Sequence, residues 1–334
     1  MSITATSVYL AQRPEGLPDE STWEIRQHEL PTELNESEIL VKVNYLSLDP
    51  AMRGWLNDVR SYVPPVQIGE IMRALGTGEV LESNTPNFSP GDRVQGLFGV
   101  TDYAISDGRG VTGIDLDVAA EPTWLGALGM PGMTGYFGLL DVGELQDGDT
   151  VLISAAAGAV GSVAGQLAKA RGCRVIGIAG GEEKCAWLTE IGFDEAINYK
   201  NEKVLSRLRE VAPDGINVFF DNVGGTILDA GLANLARGAR VVICGAISTY
   251  NDPTLAPGPS RYMSLLVFRA RMQGFVVFDY RDRYPEAVEA IAAHISNGSL
   301  VARETVVGGG VRGFPEALLG LFQGVNTGKL VLEI

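Results

Sequence analysis

The chain is poor in the residues that bind metals and form disulfides. It has two histidines, His28 and His294, and three cysteines, Cys173, Cys185 and Cys244, in 334 residues. A zinc site needs several Cys, His or carboxylate ligands, and no CxxC or HxxxH spacing occurs around these histidines. An odd number of widely spaced cysteines indicates free thiols in a reducing compartment. We therefore expect neither a metal site nor a disulfide framework.

Positive charge and long apolar segments are also scarce. The chain has 26 Lys and Arg against 41 Asp and Glu, which gives a net charge of −15. Such a chain is repelled by nucleic acids and by anionic membrane surfaces. No apolar run approaches the roughly 18 residues that a membrane span needs, and the N-terminus lacks the pattern of a signal peptide. We expect a cytoplasmic protein that binds neither nucleic acid nor membrane.

What is present divides into two patterns. Residues 1–121 consist of short alternating segments broken by Gly and Pro, such as "EILVKVNYLSLDP" and "SPGDRVQGLFG", which predict a β-rich domain. In residues 122–304, apolar strands such as "TVLIS" and "INVFF" alternate with amphipathic helices, which predicts an α/β doubly wound parallel sheet. The tail, residues 305–334, has no further βα unit, so we expect it to return to the first domain.

Three elements of the second domain are predicted from local pattern alone. The segment "TWLGALGMPGMTGYFGLLDVG" has helical apolar spacing that Pro131 would interrupt. The segment "TILDAGLANLARG" predicts a helix, and "MQGFVVFDY" predicts a strand.

The stretch "TVLISAAAGAVGSVAGQLAK" places a loop of small residues between a strand and a helix. A dinucleotide loop normally has the pattern G-x-G-x-x-G, and here the register gives Ala156, Gly158 and Gly161. The second glycine lets the backbone approach a pyrophosphate, and the third lets the helix pack closely on the strand. The helix N-terminus adds unpaired N–H groups and a positive dipole end. Because further βα units follow, we interpret this loop as a phosphate cradle.

The end of the second strand bears on the choice of dinucleotide. An NAD site has Asp or Glu there to bind the ribose 2′-hydroxyl. In this chain the strand ends in Ala179, Gly180 and Gly181, and Lys184 follows in the first helical turn. Lys184 is either a ligand of a 2′-phosphate or a solvated lysine. The missing acid together with this lysine favours NADPH.

The segments "GMPGMTGYFGLLDVGELQDGDTVLISAAAGAVGS", "EKCAWLTEIGFDEAINYK", "FDNVGG", "CGAISTYN" and "VNTGK" resemble the zinc-independent medium-chain reductases. The resemblance is strongest to the prostaglandin and leukotriene reductases, plant alkenal double-bond reductases and bacterial curcumin reductase, and it spans nearly the whole chain. It implies a GroES-like domain joined to a Rossmann domain, a homodimer, and NADPH as cofactor.

The resemblance also implies binding residues. The pyrophosphate would be held by Gly158, Ala159, Val160 and Gly161, and the 2′-phosphate by Lys184 and Tyr199, beside Gly180. Further cofactor contacts would be Asn222, Cys244, Gly245, Ala246, Ile247, Ser248, Thr249, Tyr250, Phe275, Val276, Val277 and Asn326. Some of these residues fit a purely structural role equally well. Asn222 would serve as a helix cap, Phe275–Val277 as a buried strand, and Asn326 as a turn residue.

The substrate side departs from the plant enzymes. Their "DPYMR" motif, whose tyrosine lines the substrate pocket, is "DPAMR" here, with Ala51 in place of the tyrosine. Asp49, Pro50, Met52 and Arg53 match the motif. We predict that Ala51 and Arg53 are substrate contacts, although a buried structural turn would account for the motif as well.

The implied activity is NADPH-dependent reduction of the C=C bond of α,β-unsaturated aldehydes and ketones by hydride transfer to the β-carbon. Charge then develops on the carbonyl oxygen, and without a metal a hydroxyl must stabilise it. The candidate donors are a ribose hydroxyl of the cofactor and Tyr250, which would also contact the substrate. Two alternatives are a zinc-free quinone or carbonyl reductase and a non-catalytic protein that binds nucleotides or RNA.

Overall fold

The computed structural model describes residues 3–252, 254 and 256–334. The chain forms two compact units. The first consists of Met1–Leu125 and Glu304–Ile334, and the second of Gly126–Arg303. We call them the β-rich unit and the α/β unit and describe each by itself.

The regular structure in the N-terminal part of the β-rich unit consists mainly of strands. These are β1 (Thr4–Leu10), β2 (Trp23–Glu29), β3 (Ile39–Ser47), β4 (Leu75–Ser83), β5 (Arg93–Leu97), β6 (Tyr103–Ser106) and β7 (Thr112–Gly113). One short helix, α1 (Ala51–Trp55), follows β3. Strands β1 and β2 pair with each other in antiparallel register.

The α/β unit alternates strands and helices. Its elements are α2 (Met130–Phe137), β8 (Thr150–Ser154), α3 (Ala159–Ala170), β9 (Arg174–Ala179), α4 (Glu182–Glu190), β10 (Glu195–Asn198), α5 (Val204–Val211), β11 (Ile216–Asp221), α6 (Gly225–Leu232), β12 (Leu235–Ile243), α7 (Ser264–Phe268), β13 (Arg271–Gly274) and α8 (Tyr284–Ser296). The strands form a parallel sheet in the order β10-β9-β8-β11-β12-β13. This is the Rossmann order, and its direction of winding reverses between β8 and β11.

The C-terminal tail belongs to the β-rich unit. It forms β14 (Glu304–Val307), α9 (Phe314–Gln323) and β15 (Lys329–Glu333). Strand β15 runs parallel to β14 and antiparallel to β3, in a sheet ordered β14-β15-β3-β4-β5-β7, with β6 also paired to β3. Phe314, Leu318, Leu330 and Leu332 of the tail are fully buried in the same apolar core as the N-terminal strands.

Three local predictions differ from the structure. The helix predicted from "TILDAGLANLARG" ends at Leu232, and β12 begins at Leu235, because Leu235 pairs with Ile216 of β11. The strand predicted from "MQGFVVFDY" ends at Gly274, after which a 3-10 helix covers Val277–Arg283.

The third difference concerns the helix of the α/β unit that contains Pro131. The proline lies in the first turn of α2, where its missing N–H has no intrahelical role, so it starts this helix and does not interrupt it. Gly138–Val142 then continues α2 as a π-helical segment.

Candidate cofactor-binding and active site

The predicted cofactor segments of the α/β unit all follow the carboxyl ends of its parallel strands. Strand β8 leads into the glycine loop, β9 into Gly180, β11 into Asn222, β12 into Cys244 and β13 into Phe275. Parallel strands bring these ends to one edge of the sheet, and ligands of doubly wound sheets bind at this edge, beside the switch point. The fold therefore gathers these segments around the β8–β11 junction.

The glycine loop is packed so closely at Gly161 that a side chain does not fit there. A Cβ on Gly161 would lie 2.7 Å from the carbonyl oxygen of Ala155 and 2.8 Å from the Cα of Ala156. Gly161 therefore lets α3 approach the end of β8. Alanine fits at position 156, in place of the first glycine, because Gly177 on β9 has no side chain. A Cβ there would be 2.9 Å from the methyl group of Ala156.

The start of α3 is suited to an anion. Gly158 is the N-cap residue, and it has no side chain to satisfy the first N–H groups of this twelve-residue helix. Those groups and the positive end of the helix dipole favour a phosphate. The preceding Ala155 adopts a left-handed φ of 47°, which turns the chain sharply from strand to helix.

A second part of the candidate site, which we call the β9–β10 corner, lies between the carboxyl ends of β9 and β10. A Cβ on Gly180 would come within 2.8 Å of the ring of Tyr199, so the glycine allows this tyrosine to lie against the chain. Gly181 donates its N–H to Asn198 Oδ1 at 3.0 Å, and Tyr199 donates its N–H to the Ala179 carbonyl at 3.2 Å. These bonds fix Tyr199 beside the first turn of α4.

Two lysines meet at this corner. Burial, followed by the like charge of Lys200, lowers the pKa of Lys184 from its ordinary value. The charge of Glu183 opposes this shift, and a bound phosphate would add further negative charge that favours the protonated lysine. Sequence reasoning missed Lys200, although a basic residue directly after Tyr199 in "INYK" is a readable signal.

A buried carboxylate organises the switch point. Asp221, fully buried at the end of β11, accepts the hydroxyl of Ser154 at 2.6 Å and the N–H groups of Val223 and Gly224 at 3.2 and 2.9 Å. Burial raises the pKa of Asp221 from its ordinary value. Sequence reasoning missed both Asp221 and Ser154, although an acid at the end of the apolar strand "INVFF" is unusual enough to notice.

Asn222 is held by the same network. Its N–H donates to Ser154 Oγ at 2.8 Å, and its side-chain amide donates to the Ser154 carbonyl at 2.7 Å. The side chain therefore joins β11 to β8, and Gly224, not Asn222, is the N-cap of α6. The prediction that Asn222 caps this helix is wrong.

The segment after β12 is bonded to the one after β11. The N–H of Ile247 donates to the Asn222 carbonyl at 3.2 Å, and both the N–H and the hydroxyl of Ser248 donate to the Val223 carbonyl, at 3.1 and 2.6 Å. Thr249 turns back through its N–H and hydroxyl onto an earlier carbonyl of the same loop. The two loops therefore form one hydrogen-bonded surface.

The side chain of Tyr250 packs against the loop that carries it. Its phenol oxygen accepts the N–H of Ala246 at 3.2 Å and lies against Gly245, where a Cβ would be 2.8 Å away. Nearby, burial and the charge of Asp221 raise the pKa of the Cys244 thiol to about 12, so this thiol stays protonated and is not a nucleophile at neutral pH.

Phe275–Val277 is not a strand. The ring of Phe275 packs edge-to-face on Phe220 of β11 at 6.5 Å, and the Val277 carbonyl accepts the hydroxyl of Tyr284 at 3.1 Å. This arrangement leaves an irregular backbone at the end of β13, at the same edge of the sheet.

The predicted substrate residues lie in the β-rich unit. Ala51 begins α1 and is half-buried, whereas Arg53 is 2% exposed. The guanidinium of Arg53 donates to the carbonyls of Gly16 and Pro14 at 2.7 and 3.2 Å and to Asn57 Oδ1 at 2.7 Å. Burial lowers its pKa. Arg53 thus fastens the 14–16 segment to α1, and this contact is one that the sequence pattern did not predict.

Asn326 also lies in the β-rich unit, in the turn before β15. It is buried, and its side-chain amide donates to the Gly328 carbonyl at 2.7 Å. Gly328 has a φ of 70°, which favours glycine. Asn326 therefore closes its own turn.

In residues 3–252, 254 and 256–334, no cluster of three or more His, Cys, Asp or Glu side chains is arranged to hold a metal ion. Within the same ranges, no helix combines the length and the apolar character needed to cross a bilayer.

The Rossmann sheet and the strand-built unit together define a medium-chain dehydrogenase/reductase. Residues 6–114 match the family described as the N-terminal domain of oxidoreductase, and residues 159–293 match the family described as zinc-binding dehydrogenase. The chain therefore belongs to the medium-chain dehydrogenase/reductase family and is an oxidoreductase, which confirms the predicted family and fold class.

Three similar proteins indicate the type of reductase within this family. The chain is 39% identical to the NADPH-dependent curcumin reductase of Escherichia coli, over 97% of this chain and 95% of that one. It is 41% identical to the NADP-dependent 2-alkenal reductase of Nicotiana tabacum, over 99% and 98%. The crystal structure of CurA from Vibrio vulnificus in complex with NADPH matches with a TM-score of 0.92 at 42% identity, over 98% of each chain.

Proposed function

We propose that this oxidoreductase uses NADPH to reduce the C=C bond of α,β-unsaturated aldehydes and ketones. The observation of this chain that carries the cofactor assignment is the β9–β10 corner. There Tyr199 lies against Gly180, Lys184 lies in the first turn of α4, and no acid ends β9. An acid would bind a ribose 2′-hydroxyl, whereas a cation suits a 2′-phosphate. The NADPH complex of the related CurA supports the same assignment.

The reaction class is supported by the relatives. Curcumin and 2-alkenals, which two of them are named for reducing, share a C=C bond conjugated to a carbonyl group. Bound NADPH supplies a hydride. The substrate then needs a donor for the negative charge that develops on its carbonyl oxygen.

We assign that donor to Tyr250. Tyr250 lies on the loop after β12, and its phenol oxygen accepts the N–H of Ala246 at 3.2 Å. This contact holds the hydroxyl at the edge of the sheet where the cofactor segments meet, and it orients the phenol before substrate arrives. Tyr250 would first stabilise the oxyanion and then protonate the collapsing enolate.

On the β-rich unit, we assign the two predicted substrate residues different tasks. Ala51 would contact the substrate and leave room where a tyrosine would otherwise stand. Arg53 would position α1, because its guanidinium is buried and bonded to Gly16, Pro14 and Asn57.

Product analysis tests the activity. The purified protein is incubated with NADPH deuterated at C4 and with an aliphatic enone, an enal or a quinone. The proposal expects a saturated carbonyl product with deuterium on the β-carbon. An allylic alcohol, or turnover of quinones alone, would replace the proposal with carbonyl or quinone reduction, and cofactor binding without turnover would indicate a binding protein.

We also propose that the protein is a homodimer formed through β13. This strand lies at the edge of its sheet and presents backbone groups that can pair with another strand. Exposed apolar side chains lie on β13 and α7 and just before α7: Tyr262, Met263, Leu266, Val267 and Met272. Clusters of this kind on a soluble protein mark interaction surfaces.

Light scattering after size exclusion tests the dimer. Leu266, which is 69% exposed, is changed to Glu, and Val306, an exposed residue on the edge strand of the β-rich unit, is changed to Glu as a control. The wild type and Val306→Glu should have twice the mass of the chain, and Leu266→Glu the mass of one. A monomeric wild type would end this proposal.

A cytoplasmic location is proposed as well. The thiols of Cys173, Cys185 and Cys244 are free, as expected in a reducing compartment. Cell fractionation followed by immunodetection tests it, and recovery outside the cytoplasm would contradict it.

A further inference from the structure

A buried ion pair joins the N-terminal and C-terminal segments of the β-rich unit. Lys329, the first residue of β15, donates to Asp49 Oδ1 at 2.9 Å and to the Leu48 carbonyl at 2.6 Å. The two charged side chains are only 3% and 8% exposed. Ser47 donates its hydroxyl to the second oxygen of Asp49. Burial lowers the pKa of Lys329, and the charge of Asp49 opposes this shift.

The pair connects a segment that the proposed function uses with the turn of Asn326, which the family resemblance implies is a cofactor contact. Asp49 lies two residues before α1, which begins at Ala51, and the Asp49 carbonyl accepts the N–H of Met52 at 3.0 Å. Lys329 directly follows the turn that carries Asn326. One ion pair therefore sets the position of a proposed substrate contact relative to a proposed cofactor contact.

The turn that carries Asn326 is also hydrogen-bonded to β14. The hydroxyl of Thr305 on β14 donates to the Thr327 carbonyl at 2.9 Å, and the N–H of Thr327 donates back to that hydroxyl at 3.2 Å. The segment from Asn326 to Lys329 is thus held by β14 on one side and by Asp49 on the other.

A contribution to folding stability does not by itself explain why Asp49 and Lys329 form a buried ion pair. Removing two charges from water is costly, and apolar residues of similar volume often stabilise a protein as well or better. A buried pair does, however, fix geometry, because each charge has only one favourable position.

We propose that Asp49 and Lys329 are positioning residues that hold the Asn326 turn and helix α1 in the geometry required for cofactor and substrate binding. This inference rests on the proposed function. The test measures cofactor binding as well as turnover, so the inference and the proposed function can fail independently of each other.

The test removes both charges and keeps the shapes. The double variant Asp49→Asn with Lys329→Met retains an acceptor for Ser47 and leaves no unpaired charge. We expect its Tm to stay within about 4 °C of the wild type. Its Kd for NADPH should rise about two- to tenfold, as for a lost neutral hydrogen bond. Enone kcat/KM should fall roughly ten- to a hundredfold, as for a misplacement of about 1 Å.

Binding of 2′,5′-ADP separates positioning from general damage. This ligand carries the 2′-phosphate without the nicotinamide, so it reports on the α/β unit, and its Kd should change by less than about twofold. A control removes another Lys–Asp pair of the same length, 2.9 Å, between Lys169 in the last turn of α3 and Asp194, whose side chains are each 30% exposed. Lys169→Met with Asp194→Asn should leave NADPH affinity and kcat/KM unchanged.

The outcomes are distinct. A folded double variant with wild-type NADPH affinity and wild-type kcat/KM overturns the inference. A wild type that binds NADPH but reduces no enone ends the proposed function, and the NADPH and 2′,5′-ADP measurements still decide the role of the pair.

If the double variant does not fold, Lys329→Arg, which keeps the charge but changes its position, replaces it. A higher NADPH Kd in this variant, with 2′,5′-ADP binding retained, supports the inference, and an unchanged Kd overturns it.

Discussion

Ser154 donates its hydroxyl to the carboxylate of Asp221 at 2.6 Å, although the two residues lie 67 positions apart in the chain. The same hydroxyl accepts the N–H of Asn222, so a single oxygen joins β8 to the loop after β11. Asp221 in turn holds the N–H of Gly224, and its own carbonyl accepts the N–H of Cys244. The geometry of the switch point thus depends on one buried serine–aspartate contact.

Ser154→Ala should weaken both folding and cofactor binding. It leaves the N–H of Asn222 without its acceptor and removes one of the three donors of Asp221, which should lower the free energy of unfolding by about 1–3 kcal/mol. Denaturant unfolding and NADPH titration measure the two effects.

The matched control is Ser7→Ala. Ser7 is fully buried in the β-rich unit and donates to Thr101 at 2.8 Å, so its loss should reduce stability by a similar amount. We expect its NADPH affinity to remain unchanged. Equal NADPH affinities in Ser154→Ala and Ser7→Ala would show that the Ser154 network does not organise the site.

Lys184→Ala should erase most of the preference for NADPH over NADH. A charge-assisted contact with phosphate contributes about 1.5–3 kcal/mol, so NADPH affinity should fall roughly ten- to a hundredfold while NADH affinity changes little. Fluorescence titration of both cofactors measures this. Lys203→Ala, at an exposed lysine before α5, is the control. Equal wild-type dissociation constants for NADPH and NADH would refute the assignment.

The pH dependence of binding follows from the same lysine. Burial and Lys200 lower the pKa of Lys184, so its charged form is disfavoured in the free protein, whereas a bound phosphate favours it. As pH rises through this lowered pKa toward the ordinary lysine range, the cation is lost and NADPH should bind more weakly. The Kd for NADPH should therefore increase as pH rises toward the ordinary lysine pKa of about 10.4, while that for NADH stays flat.

Rising pH should change the stability of the fold in the direction opposite to its effect on NADPH affinity. Because the folded pKa of Lys184 lies below its unfolded value, the charged lysine destabilises the folded state at low pH, and this cost is relieved as pH rises through the folded pKa. Lys184→Ala should therefore remove both the pH dependence of the NADPH Kd and this alkaline gain in stability. A wild-type Kd that is constant over the range would contradict the prediction.

Periodicity predicted the α/β architecture because buried strands and amphipathic helices differ over their full length. It failed where a long-range partner decides the structure. The chain leaves α6 at Leu232 because Leu235 pairs with Ile216, and β13 stops because Phe275 packs on Phe220. In the site, the glycine pattern was readable, but the partner of Asn222 was not, since Ser154 is distant in sequence.

Tyr250→Phe separates catalysis from binding at the proposed proton donor. The variant keeps the ring beside Gly245 but loses the oxygen that accepts the N–H of Ala246. If the hydroxyl stabilises the developing oxyanion, kcat for enone reduction should fall roughly ten- to a thousandfold while the NADPH Kd rises by less than about tenfold. If Tyr250 only shapes its loop, NADPH affinity should fall and kcat should stay near the wild-type value. Tyr9→Phe, which removes a hydroxyl hydrogen-bonded to His28 in the β-rich unit, serves as the control and should change neither parameter. Near-normal kcat in Tyr250→Phe would leave the tyrosine with a binding role only and would assign protonation of the enolate to another donor.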